Sequence, residues 1–348
     1  IAALHDAYPT VEHANRHLGI ELKDWKEVTP EVLRGCKPAK SPEYVNYLFW
    51  LRAKYKTVEA LNAAWNAEVK DFFEIPPELA DELQLAGKFG AAIDRQTFLE
   101  QCFINQGKAI AKGVKSVDPT IGFGFGASTL GNTFADAIQQ LNSVCPYAGR
   151  EDIELCRGVP HVFNGECMGV YGGKKVQRPT RERTVWHGLL AGCNFSWFWH
   201  GSYMIEGDGS VNPNRAGYMF NTYREVTRGP AALLRRSTFD NCGVRVLVNH
   251  ASGRMAPIVK DMSTHGQSLG ALGSLVSSLG LQFDSITAEQ VSKGALAREG
   301  VKLLLLPYAQ ILRTGEADAI RAFVKQGGTV VADARVGLFD EHGAPYAK

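Results

Sequence analysis

From residue 94 almost to its last residue, the chain alternates apolar runs that read as strands with amphipathic stretches that read as helices. This alternation restricts the fold more than any other feature. Strands separated by helices return by crossovers, and crossovers build parallel sheets. A long helix over 94–117 precedes a glycine-rich strand at 121–127, and a helix near 133–141 precedes a short strand at 143–147. The run 159–165 is the next strand, and a helix over 181–191 leads into a strand at 194–200. Four successive units of this kind fit the second half of a (β/α)₈ TIM barrel, whose catalytic groups come from the C-terminal ends of its strands. After Arg228, Gly229 and Pro230 the character shifts. Four β-type runs, at 244–248, 283–287, 301–307 and 329–333, are interspersed with helices near 264–279 and 315–326. The expectation is an α/β chain in two domains. Residues 1–241 would hold the partial barrel, and residues 242–348 a doubly wound, flavodoxin-like α/β domain.

The front of the chain carries a repeat. Over residues 8–32 and 55–79, offset by 47, eleven of twenty-five positions are identical. Each copy reads as a helix capped at Thr10 or Thr57, followed by an aromatic-bearing extended segment that stops at proline. Tyr47, Leu48, Trp50, Leu51 and Tyr55 have helical spacing and lead into the second copy. By the same register, residues 1–7 are expected to be the tail of an equivalent helix. The chain is then expected to be an internal piece of a longer protein, which leaves its compartment open.

Composition removes several classes of function. A net charge of +2 with no Lys/Arg cluster along the sequence supplies no footprint for nucleic acid or a membrane surface. No apolar run approaches the roughly 18 residues needed to cross a bilayer. The seven cysteines are odd in number, scattered and without a C-x-x-C pair, so they read as free thiols and not as a disulfide framework or zinc site. No His/Asp/Glu spacing suggests a metal. Gly122, Gly124 and Gly126 imitate a dinucleotide loop, but they fall within a strand instead of opening a helix. No cofactor is expected.

The densest concentration of chemistry is the run Phe163, Asn164, Gly165, Glu166, followed by Cys167, Met168 and Gly169. Trp186, His187 and Gly188 come next, then the aromatic run 194–200 with Trp197 and Trp199. Glu166 is expected where an apolar strand gives way to a glycine-rich loop. A carboxylate there can meet the anomeric carbon of a sugar while aromatic rings stack on the sugar's apolar face. Trp197 and Trp199 share strand parity, and Trp199, nearer the end, is the better platform. Phe125 is expected to line the mouth of the site, Tyr147 to face the pocket and Arg150 to lie just beyond it, with Asn164 beside Glu166 as a further substrate contact. Taken singly, a solvated loop carboxylate and core tryptophans would explain the same residues. Their order on adjacent strands is what makes them telling.

Residues 47–200 resemble the second half of the barrel of glycoside hydrolase family 42 β-galactosidases. The likeness rests on Trp50 to Tyr55, on Thr57 to Trp65, on Gly165 with Glu166, on His187 to Gly192, and on the strand end Trp197 to Trp199. Residues 243–337 resemble that family's second domain, which has a glutamine-amidotransferase-like fold and helps build a trimer. The resemblance implies a retaining β-glycosidase acting on β-linked galactosides or related plant or algal sugars. It makes Glu166 the nucleophile and places Trp199 at the sugar subsite. It also implies an oligo- or polysaccharide substrate and a homo-oligomer formed through the C-terminal domain. Retaining enzymes use two carboxyl groups about 5–5.5 Å apart. In the family the acid/base follows an asparagine on the fourth barrel strand. No such Asn-Glu pair stands at a strand end here, and Asp6 and Glu12 are poor substitutes, so that residue is expected upstream of Ile1. The doubled helical segment departs from the family's single copy. The alternative is a carbohydrate-binding or scaffold protein that kept the barrel without the chemistry. An amidotransferase would need a cysteine on a strand-to-helix elbow, and the only cysteine of the second domain, Cys242, precedes its first strand.

Overall fold

The computed structural model describes residues 8, 10–34, 42–126, 142–145, 154–155, 163–169, 178–193, 195–199, 205–212, 218–234 and 236–346. The chain divides into two units, residues 1–99 and 100–348.

In the first unit the sequence repeat is a structural repeat. Helix α1 (Val11–Leu18) opens the first copy, followed by a 3₁₀ turn at Trp25–Glu27 and α2 (Pro30–Arg34). Helix α3 (Pro42–Tyr55) leads into α4 (Val58–Trp65), which opens the second copy and is followed by a 3₁₀ turn at Phe72–Glu74 and α5 (Leu79–Leu85). Thr10 and Thr57 cap their helices by accepting the N–H of His13 and of Ala60, each at 3.2 Å. Both helices end on a left-handed residue, Gly19 at φ 62° and Asn66 at φ 50°. Asn15 then holds the backbone of Leu22 through two bonds of 2.7 Å, and Asn62 holds Val69 through bonds of 2.8 and 2.7 Å. The aromatic segments, expected from the sequence to be extended, are 3₁₀ turns instead. Asp24 and Asp71 accept the N–H two residues on, from Lys26 at 3.0 Å and Phe73 at 2.7 Å, and this local bond curls each segment into a 3₁₀ turn.

The copies also meet. Arg16 of α1 bonds Glu74 at 3.1 Å, and the rings of Tyr8, Phe49 and Phe73 pack edge to face and tilted. A core of Leu48, Leu51, Leu61, Trp65, Phe72 and Phe73 lies beneath. Asp94, on α6 (Gly90–Val117), is 2% exposed and accepts from Tyr55 Oη at 2.6 Å, from Trp65 Nε1 at 2.9 Å and from Lys54. Burial and the Asp94 charge push the Tyr55 phenol far above its ordinary value.

The second unit carries two four-stranded sheets, both parallel throughout. The first contains β1 (Phe123–Gly126), β2 (Asn142–Cys145), β3 (Phe163–Gly169) and β4 (Phe195–Trp199), adjacent in chain order. Helix α7 (Arg178–Ala191) connects β3 to β4 and starts three residues earlier than expected; α8 (Tyr218–Arg228) and α9 (Pro230–Leu234) follow. The helix expected near 133–141 lies outside the described residues.

The second sheet contains β5 (Val244–Val248), β6 (Asp284–Thr287), β7 (Leu303–Leu306) and β8 (Thr329–Ala332) in the order β6-β5-β7-β8. That order, 2-1-3-4 in chain sequence, changes direction between β5 and β7, as open doubly wound sheets do. Helices α10 (His250–Ile258) and α11 (Met262–Ser278) join β5 to β6, α12 (Ala288–Ser292) and α13 (Ala295–Arg298) join β6 to β7, and α14 (Thr314–Lys325) joins β7 to β8. Alternation along β5 divides the core. Val244, Val246 and Val248 pack with Leu269 and Val276 of α11, while Leu247 packs with Val291, Leu296, Ile320 and Phe323 from α12, α13 and α14. Leu155 joins the first group, and Arg254 of α10 bonds the buried carboxylate of Glu100. Of these helices, only the pair around α11 and α14 is signalled by sequence periodicity. The others are short and bury only some of their residues, Ala288 and Val291 in α12 and Ala295 and Leu296 in α13, too few positions to set a period.

Candidate functional site

The strand carrying Glu166 is Phe163–Gly169, four residues past the end expected at residue 165, and Glu166 is its fourth residue. Glu166 therefore lies within a strand, and not at a strand-to-loop boundary. The reason is the neighbouring ladder: β3 pairs with β4 without a break from Gly165 opposite Phe195 to Gly169 opposite Trp199. Glycine weakens a strand by its own propensity, but a partner strand on which every residue finds a register position overrides that preference.

Register also sorts the candidate residues. Phe125 pairs with Val144, Val144 with Asn164, and Glu166 with Ser196. Successive positions of a strand belong to opposite faces. Phe125, Asn164 and Glu166 therefore occupy positions of one sheet face, on β1 and β3. Trp199, opposite Gly169, and Trp197, opposite Cys167, have the other parity. Trp199 closes β4, three residues beyond the partner of Glu166, or about 10 Å along the strand direction. Tyr147 and Arg150 lie outside the described residues. His187 is exposed on α7.

Two other polar concentrations have no signal in the local sequence. At the C-terminal edge of the second sheet, Tyr308 follows β7 with a φ of 43°, a conformation rare for a bulky side chain. It is 1% exposed, its N–H donates to Asp333 Oδ1 at 2.7 Å, its hydroxyl donates to Asp261, and its ring meets His265 edge-on at 6.3 Å. This is the position after a strand at which a nucleophile elbow would place its residue, and here it holds a buried tyrosine. Cys242, at φ 54°, is in the turn before β5. At the other end of β5, both ring nitrogens of His250 are buried without a hydrogen-bond partner. Burial, and then the charges of Arg254, His265 and Arg313, hold its imidazole down to about 3. Burial likewise lowers His265.

The second concentration is a groove of about 600 Å³ in the first unit, bordered by Arg52, Lys56, Glu59, Lys70 and Asp71. Among the described residues, no group of three or more His, Cys, Asp and Glu side chains could hold a metal, and no helix is long and apolar enough to cross a membrane.

No protein-family model and no curated protein matches the sequence. Solved structures do resemble its fold. A β-galactosidase from Bacillus circulans sp. alkalophilus superposes with a TM-score of 0.67 at 17% identity, covering 90% of this chain and 52% of that one. A glycoside hydrolase family 42 β-galactosidase from G. stearothermophilus gives 0.69 at 17% identity, with 87% and 50% covered. A family 42 exo-carrageenase from Bacteroides ovatus gives 0.57 at 13% identity, with 94% and 49% covered. The resemblance read from the sequence thus holds at the level of the fold, an α/β architecture with parallel sheets. The chain spans about half the length of these structures.

Proposed function

We propose that this chain forms part of a retaining β-glycosidase acting on β-linked galactosides or related plant or algal sugars. The observation that carries the reading is Glu166, on the same sheet face as Asn164 and Phe125, in a sheet whose strands follow one another in parallel chain order. The fold-level likeness to two β-galactosidases and an exo-carrageenase supports it. In this reading the four strands are consecutive staves of a (β/α)₈ barrel, and Glu166 attacks the anomeric carbon. Tyr147, Arg150, Phe125 and Asn164 line the sugar subsites; Trp199, whose strand position belongs to the other face, reaches them in this reading only around the end of β4. Residues 242–348 are an amidotransferase-like domain that contributes oligomer contacts without chemistry of its own. The covalent glycosyl-enzyme is released when water attacks the same face from which the leaving group departed, so the anomeric configuration is retained.

The test is turnover of a panel of aryl β-glycosides by the longer protein of which this chain is expected to be a piece, wild type beside Glu166→Gln. Removing the nucleophile should lower turnover of the preferred glycoside by several orders of magnitude, and proton NMR of the first product should show the β-anomer. Unchanged turnover in the variant would refute the assignment of Glu166.

One observation favours a second reading, a carbohydrate-binding or scaffold protein. Glu166 is three residues short of the last residue of β3, whereas barrel enzymes draw their catalytic groups from strand ends. If the folded protein hydrolyses none of the panel but binds the corresponding oligosaccharides, this second reading is the correct one.

A further inference from the structure

The two copies of the repeat provide an internal comparison. What both copies share is what the motif needs in order to fold: the capping threonine, the asparagine clamp and the turn-forming aspartate. What only one copy carries is free to serve something else. The groove along the second copy is bordered by three cations, Arg52, Lys56 and Lys70, all exposed. Lys70 has a counterpart in Lys23, but Arg52 and Lys56 stand where the register of the first copy has His5 and Pro9. Folding alone therefore does not require these two cations.

Lys56 adds a second argument. Its φ is 66°, the left-handed region in which glycine is the relaxed choice, and proline at the matching position of the first copy could not adopt it. The left-handed residue closes α3, with the Lys56 N–H donating to the Arg52 carbonyl at 3.0 Å, and it leaves the lysine at the groove. None of the three cations has a carboxylate partner among the described residues. Of the two carboxylates at the groove, Asp71 is engaged: it accepts the N–H of Phe73 at 2.7 Å and lies 3.6 Å from His13 Nε2. Glu59 is the other carboxylate, so the border carries three cations against two carboxylates. The concavity is large enough for two or three sugar residues on the usual scale of ligand sites, about 300–1,000 Å³.

We propose that this groove binds an anionic oligosaccharide, a sugar chain bearing sulfate esters or carboxylates, through Arg52, Lys56 and Lys70. The saccharide part rests on the glycosidase reading above, which it narrows to charged substrates. The anionic part rests on the groove alone.

The experiment is calorimetric titration of the full chain with three oligosaccharides of equal length: a sulfated galactan fragment, an oligogalacturonate and a neutral galacto-oligosaccharide. Each is titrated at low and at high salt. The variants are Lys56→Gly, which relieves the backbone and should fold at least as well, and the triple variant R52Q/K56G/K70Q, with thermal melts as the folding control. One or both anionic ligands should bind in a salt-sensitive manner. Lys56→Gly should weaken them on the order of fivefold, the triple variant should abolish binding, and the neutral ligand should not bind. Binding of only the sulfated or only the carboxylated ligand identifies the anion. Equal binding of the neutral ligand, no binding of either anionic one, or binding unchanged in the triple variant overturns the proposal. Glu166→Gln separates it from the glycosidase reading, because that variant should lose turnover while its titration stays the same. Anionic binding without any hydrolysis leaves the groove and removes the enzyme; hydrolysis without anionic binding does the reverse.

Discussion

Residues 249 to 254 and 308 to 313 show what a buried polar edge demands of individual side chains. Asn249 donates to the carbonyl of Ile311 at 2.7 Å and accepts from Ser252, and Ser252 in turn accepts from the N–H of Ile311 at 3.0 Å, so the ends of β5 and β7 are joined through side chains. His250, in the same segment, has no such partner. A buried imidazole without partners is tolerable only when neutral. Its folded-state pKa lies below the unfolded one, so the unfolded chain binds the extra proton, and its contribution to stability is present above about 6.5 and lost as pH falls toward 3. The slope from this one group is at most about 1.4 kcal/mol per pH unit. His250→Leu should therefore reduce the loss of melting temperature between pH 7 and pH 4.5. It should also leave stability at pH 7 equal or higher, since two unpartnered polar atoms disappear. Parallel melting curves for variant and wild type across that interval would rule the account out.

Elements in the first unit are held by short-range devices used twice. Each asparagine clamp satisfies a backbone N–H and a backbone C=O seven residues away, so Asn15→Ala and Asn62→Ala each strand two groups. A loss of roughly 1–3 kcal/mol is expected for either, similar in the two copies, measured by urea unfolding. A loss in one copy with none in the other would mean that the copies are not equivalent mechanically. The outer surfaces of the repeat do differ. Phe73 is 3% exposed beneath the first copy, whereas its counterpart Lys26 is exposed. Helix α6 begins at Gly90, where a Cβ would come within 2.5 Å of the carbonyl oxygen of Ala64. The close approach restricts position 90 to glycine.

For the whole molecule, the second sheet has one exposed edge in β8, where Thr329, Val331 and Ala332 are accessible and Val331 is 43% exposed. Open apolar edges in parallel sheets are templates for association. If residues 242–348 carry oligomer contacts, light scattering should find an assembly larger than a monomer, and Val331→Lys should shift it toward the monomer. A wild-type monomer at micromolar concentration would end that idea.

The architecture could be read in the sequence because its signals are local. Apolar runs alternating with helical stretches imply parallel sheets, and a 47-residue offset between identical caps, asparagines and aspartates implies a duplicated motif. The repeat survives in the structure because its caps, clamps and turns are bonds between residues two to seven positions apart, whereas the sheets are completed by strands 19 to 59 residues away. The extent of β3, the register that sets Glu166 opposite Ser196 and Trp199 opposite Gly169, and the short helices α10, α12 and α13 required the tertiary structure. So did the gathering of Arg52, Lys56 and Lys70 around one groove in a chain with no cationic run. The physical reason is common to all of these. Strand limits are decided by the hydrogen bonds of a neighbouring strand, short helices by the elements they pack against, and charge clusters by chain reversal. None of these is a property of the residues within reach of a sequence window.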